Sequence, residues 1–264
     1  KTIQSPIINV AAGGYHHLIL VFNISGSATG GRTFGANIAT ANMTVRGGTS
    51  NLAITPTLTT VASATPIIFG NSTITGINKL SSTVNVSAVN VTVIIYNITA
   101  TGEQMNLTWI NITRLGTSAA ITTNTNITAV GLFNNSVGTD LAGSTLIRWN
   151  ATAPVNGVYI FNITADGGPG ILNVSSGGNQ HLIVVFNISG AAGVTFGTTA
   201  GANIATANLS MLGGSSGVAI TPTLASSNSS VAAIVGTSAV TGIDQNTANK
   251  NLSSTNVAVV TYNV

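Results

Sequence analysis

Along most of the chain, apolar and polar residues alternate with a period of two, in short runs separated by Gly, Asn, Ser and Thr. Alternation of that kind sends successive side chains to opposite faces and predicts half-buried β-strands. The runs cover residues 3–12, 18–25, 39–46, 53–60, 66–69, 89–99, 105–113, 126–133, 144–150 and 157–164. Pro6 removes a ladder donor, so the first run is expected to be an edge or inserted strand. No stretch offers the 3.6-residue spacing of an amphipathic helix. The expected fold class is all-β, built as β-sandwiches.

The pattern is also said twice. Residues 7–26 read IINVAAGGYHHLILVFNISG and residues 171–190 read ILNVSSGGNQHLIVVFNISG. GANIATAN at 35–42 returns at 201–208, AITPTL at 53–58 returns at 219–224, and TGI at 75–77 returns at 241–243. A fixed offset of this kind marks an internal duplication with small loop insertions. Asp166-Gly167-Gly168-Pro169-Gly170 is the clearest linker. The expected division is a strand at 1–12, a sandwich domain at 13–168 and a second sandwich domain at 169–264 that partly repeats 7–97. Residues 98–168 have no twin and are open to reading as a small separate module.

Composition narrows what such sandwiches do. Charged residues make up 4% of the chain against a typical quarter, while 44% are apolar. The longest apolar runs, 18–22 and 182–186, fall far short of the ~20 residues a spanning helix needs, so no transmembrane segment is expected. Seven scattered Lys and Arg cannot assemble the basic patch that nucleic acid requires. Cysteine is absent, which removes disulfides, thiolate catalysis and zinc–thiolate sites.

Asparagine points to export. Random order of the 30 Asn and 64 Ser plus Thr would give about seven Asn-x-Ser/Thr triplets, and there are 17. They begin at Asn23, Asn42, Asn71, Asn85, Asn90, Asn97, Asn106, Asn111, Asn126, Asn134, Asn150, Asn162, Asn173, Asn187, Asn208, Asn228 and Asn251. Each is an N-glycan acceptor in an exported chain, and any signal segment is expected to have been removed already. Many sit in strand-like FNIS, YNIT or FNIT contexts. There the Asn and its Ser/Thr share one face, expected to be outward, while the aromatic and the Ile between them face the core.

Candidate chemistry is sparse. The acids Glu103, Asp140, Asp166 and Asp244 are far apart, so a catalytic carboxylate pair is not expected. His16 and His17 are adjacent and fall on opposite strand faces, and His17 has a twin in His181. Calcium loops need clustered carboxylates, which are missing. Lys79 and Lys250 could in principle form isopeptide bonds, but no acid stands beside them, and they read as solvated lysines. Neither an enzyme activity nor a metal or cofactor is expected; covalent N-glycans are.

The duplication suggests how the chain works. In the second copy the strand of Ile171, Leu172 and Val174 follows residues of the same chain and is expected to pair with them. In the first copy the equivalent strand, with Ile3, Ile7, Ile8, Val10 and Ala12, has no preceding domain, and the last run ends inside a strand at Val264. The two are complementary, so the opening strand is expected to enter the C-terminal module of an identical subunit. That is β-strand addition, and head-to-tail contacts of this sort propagate as a fibre.

A cysteine-free, charge-poor chain crowded with FNIS and YNIT sequons and led by the strand IINVAA resembles the subunit of the archaeal thread filament. The resemblance implies tandem immunoglobulin-like or pilin-like β-sandwich domains preceded by a free N-terminal donor strand. It also implies an N-glycosylated extracellular homopolymer on an archaeal surface, serving adhesion or biofilm formation. The alternative is a non-polymerising S-layer-associated or adhesin stalk of immunoglobulin-like modules. So few acids also leave little stability to lose on protonation, which predicts tolerance of acid.

Overall fold

A computed structural model describes residues 8–59, 62–117, 126–162, 172–190, 194–236, 241–244 and 260–263, the last two segments for their backbone. The strands of the first part are β1 (Val45–Arg46), β2 (Ala53–Ile54), β3 (Asn71–Asn78), β4 (Thr83–Asn85), β5 (Val91–Thr101) and β6 (Met105–Leu115). The untwinned middle adds β7 (Ile127–Asn135), β8 (Thr145–Asn150) and β9 (Val158–Asn162). The second copy adds β10 (Leu172–Val174), β11 (Asn179–Ile188), β12 (Thr199–Asn203), β13 (Leu209–Gly213), β14 (Ala219–Ile220), β15 (Thr223–Ser226) and β16 (Ala232–Val235). β17 (Thr241–Asp244) and β18 (Val260–Asn263) follow. Short 3-10 turns lie at Thr40–Asn42 and Thr206–Asn208. The chain is all-β.

Two sheets face each other. The six-stranded sheet runs β15-β3-β5-β11-β7-β8. In the larger sheet β6 is the spine: β10 and β9 lie end to end on one edge, β13 and β12 on the other, and the path continues through β16 to β4. Between them lies one core. Ile94, Tyr96 and Ile98 of β5 and Leu182, Val184 and Phe186 of β11 meet Leu107, Ile110 and Ile112 of β6, with Phe161 of β9.

The boundary expected at residues 168–169 therefore does not separate two sandwiches. Strands from both sides of it alternate within each sheet and share the core, so residues 71–162 and 172–235 form a single sandwich. Residues 98–168 are not a separate module either, because β6 carries strands of the second copy on both edges. Local alternation marks a strand but not its neighbours, and neighbours are chosen by complementary apolar faces far apart in sequence.

The central strands are buried on both faces. Ile95, Ile183 and Val185 point away from the main core into a second cluster, roofed by Phe133, Leu141 and Trp149. Gly131 makes room for that roof: a Cβ there would stand 2.8 Å from Trp149 Cζ3 and from Val185 Cγ2. Strands covered on both sides lose polar alternation, which is why 93–96 and 182–186 read as continuous apolar runs.

Candidate strand-donation interface

The first copy repeats the second bond for bond in its local structure. Gly14 N donates to Ala11 O as Gly178 N donates to Ser175 O, both at 2.9 Å. Gly13 and Gly177 turn there with the same φ of 74°, a conformation that suits glycine. β1 pairs with β2 as Val45↔Ile54 and Arg46↔Ala53, and β13 pairs with β14 as Met211↔Ile220 and Leu212↔Ala219. The Ser63 hydroxyl accepts from Ala36 N at 2.9 Å, and the Ser229 hydroxyl accepts from Ala202 N at the same distance.

What differs is the partner. Leu172 and Val174 of β10 are fully buried, set opposite Leu107 and Met105 of β6. β11 lies between β5 and β7, hydrogen-bonded to both. Their twins in residues 8–24 lie outside any ladder. Leu18, Leu20 and Phe22 are 50–59% exposed, whereas Leu182, Val184 and Phe186 are buried in the core. Ile8 and Val10 are half exposed, and Ala12 is exposed. The run 18–25, expected as a strand, forms none here, because a strand needs a neighbour to take its backbone hydrogen bonds. Ile3, Ile7 and Ile171 lie outside the described residues.

The unpaired apolar segment is therefore longer than the strand expected at 1–12. It reaches Ile24, and an open groove of about 290 Å³ lined by Leu20, Phe22, Phe34, Gly35, Ala36 and Pro66 continues it. The signal was present in the sequence: the shared HLI and VFNISG place residues 17–26 on a strand that the second copy uses at the centre of a sheet.

The sequons divide by surroundings. Asn23, Asn42, Asn71, Asn85, Asn90, Asn173 and Asn228 are exposed; Asn97, Asn106, Asn134, Asn150, Asn162, Asn187 and Asn208 are half-buried at the surface. The Ile inside the triplet is in the core at Ile98, Ile112, Ile127 and Ile188. Two acceptors depart from the outward pattern. Asn126 is fully buried, donating from Nδ2 to Thr198 Oγ1 at 3.2 Å and accepting from Thr195 N at 3.2 Å. Asn111 is buried as well. β6 has strands on both edges and its outward face is partly covered, so alternation there no longer means exposure. Asn251 lies outside the described residues.

Glu103 has a role the sequence did not announce. It sits in the turn between β5 and β6, buried, and its carboxylate accepts from Gly70 N at 2.9 Å, Ser215 N at 2.9 Å, and Ser216 N and Oγ at 2.8 and 2.7 Å. Burial works to raise its pKa, but these bonds to the charged form outweigh it and hold the carboxyl below the ordinary carboxylate value. The group ties the first copy, through Gly70, to the second, through Ser215 and Ser216. Among the described residues, no three His, Asp or Glu side chains come together, and no helix is long and apolar enough to cross a membrane.

Neither a protein-family model nor a curated protein matches this chain.

Proposed function

We propose that this chain is a structural subunit of an extracellular, N-glycosylated surface filament, growing head to tail as the opening segment of one copy completes the sheet of another. The observation that carries it is the contrast between twins. The apolar side chains of β10 and β11, within residues 172–188, are buried, while residues 8–24, with a similar sequence, expose their apolar positions and lack a ladder partner. An exposed apolar stretch of strand pattern is a ready site for pairing with another chain. Seventeen sequons, more than twice the chance number, support a glycosylated exterior, and adhesion between cells or to surfaces is the role such a filament would serve.

A second reading has its own support. The second copy is completed by strands of its own polypeptide, so a neighbouring repeat in a stalk could complete the first copy in the same way. Electron microscopy and light scattering of the purified chain separate the two. Filaments or large head-to-tail oligomers, lost in a Leu18→Asp, Leu20→Asp variant, are the expected outcome. A monodisperse single-chain species, unchanged by the variant, would sink the filament proposal.

A further inference from the structure

The antiparallel pair of β17 and β18 repeats the antiparallel pair of β3 and β5 in the same register. β3 and β5 pair as Thr75↔Asn97, Gly76↔Tyr96, Ile77↔Ile95 and Asn78↔Ile94. β17 and β18 pair as Thr241↔Asn263, Gly242↔Tyr262, Ile243↔Thr261 and Asp244↔Val260. All four pairs are displaced by 166 residues, the offset that relates the two copies.

The free edge of β5 is where the sandwich takes β11: His181↔Asn97, Leu182↔Tyr96, Ile183↔Ile95 and Val184↔Ile94. β18 has β17 on one edge and, among the described residues, no strand on the other. The strand that corresponds to β11 in the first copy is residues 15–24, which has no ladder partner. Among the described residues, the chain thus contains both halves of a joint that it closes once, at β5 and β11, and does not close a second time. Moreover, the first copy is already folded around its open half. Its turn at 11–14, its β1–β2 pair and its Ser63 bonds match those of the second copy. In the second copy, Val184, Phe186, Ala200, Gly201, Ala202 and Ala232, the counterparts of the groove residues in the first, are buried.

We propose that β18 of one copy takes residues 17–20 of a second copy of this chain as an antiparallel strand, in the register His17↔Asn263, Leu18↔Tyr262, Ile19↔Thr261 and Leu20↔Val260. The unit that docks is the half-sandwich of residues 8–69 rather than a single opening strand. This rests on the filament proposal and names its acceptor edge.

Absence of cysteine makes the register directly readable. Facing residues of an antiparallel pair have Cα atoms about 4.5–5.5 Å apart, inside the range of about 4.4–6.8 Å that a disulfide spans. A full-length chain carrying Ile19→Cys is mixed with one carrying Thr261→Cys and oxidised. A mismatched mixture uses Ile19→Cys with Val260→Cys, one residue out of the proposed register. The expected result is a reductant-sensitive dimer between the two different chains, several-fold more abundant in the matched mixture. Ile19 is exposed, so its replacement leaves folding intact. Equal crosslinking in both mixtures, alongside normal filaments of the unmodified chain by electron microscopy, overturns this joint and leaves the filament proposal standing. An unmodified chain that forms no filaments or oligomers overturns both.

Discussion

At the scale of single residues, Glu103 and Asn126 hold distant segments of the chain together. Glu103 satisfies four donors from two segments of the chain. Replacing it with Gln reverses the polarity of one arm and leaves donors facing donors, at a cost of about 1–3 kcal/mol. Its folded pKa lies below that of an unfolded glutamate, ordinarily about 4.3. The stability it contributes is therefore fully present above that value and is lost as pH falls through the lowered folded value. Thermal melts as a function of pH should show this loss in the natural chain and a flatter acid limb in Glu103→Gln. The acid tolerance expected from scarce carboxylates thus has one identifiable weak point. Asn126 gives a second residue-level prediction. With Nδ2 committed to Thr198 and no exposed surface, it should be unmodified in the protein purified from its native source, while exposed Asn23, Asn42 and Asn228 are expected to carry glycans. Peptide mapping by mass spectrometry decides this, and a glycan at Asn126 would show that the segment around it packs differently.

At the scale of elements, β6 and β11 set what a substitution costs. Each is paired along both edges, and each supplies core side chains. β10 is short, but its two core residues close the end of the β6 edge. Leu172→Asp with Val174→Asp would bury two carboxylates without partners, a penalty of several kcal/mol against a typical whole-domain stability of about 5–15 kcal/mol. Loss of the cooperative melting transition is expected by circular dichroism, and an unchanged transition would contradict the burial of β10. The same double replacement at the twin positions, Ile8→Asp with Val10→Asp, should leave the transition of the isolated chain nearly unmoved, because those side chains already face solvent. That contrast between twins measures how far the first copy depends on an outside partner.

At the scale of the whole molecule, residues 71–236 hold the interleaved sandwich, and residues 8–69 are a similarly wired half without its complement. Removing residues 1–24 should therefore abolish association while leaving the sandwich's melting temperature within a few degrees of the natural value. A large fall would mean that the segment is part of the sandwich rather than an exposed arm. Association of this kind draws on apolar burial worth roughly 1.5–3 kcal/mol per side chain and ladder bonds of about 0.5–1.5 kcal/mol each, so a joint of several residues can be long-lived without a covalent link.

What the sequence by itself determined is local. Period-two alternation predicts strands and no long helix, and the repeated text marks a duplication. The position of Ile98, Ile112, Ile127 and Ile188 toward the core also follows from alternation. What only the tertiary structure decided is which strands are neighbours. β11 enters between β5 and β7 and β6 collects strands from both sides of the linker because apolar faces are matched in space, across separations that no local pattern encodes. For the same reason exposure could not be read from alternation at Asn111 and Asn126, where neighbouring segments cover the outward side. Glu103 was visible as an acid and invisible as an anchor, since its four donors come from residues 33 to 113 positions away. Nor could the sequence tell that two similar segments, 8–24 and 172–188, would differ as exposed arm and buried centre: shared side chains fix a conformation only when a partner edge is present to accept their hydrogen bonds.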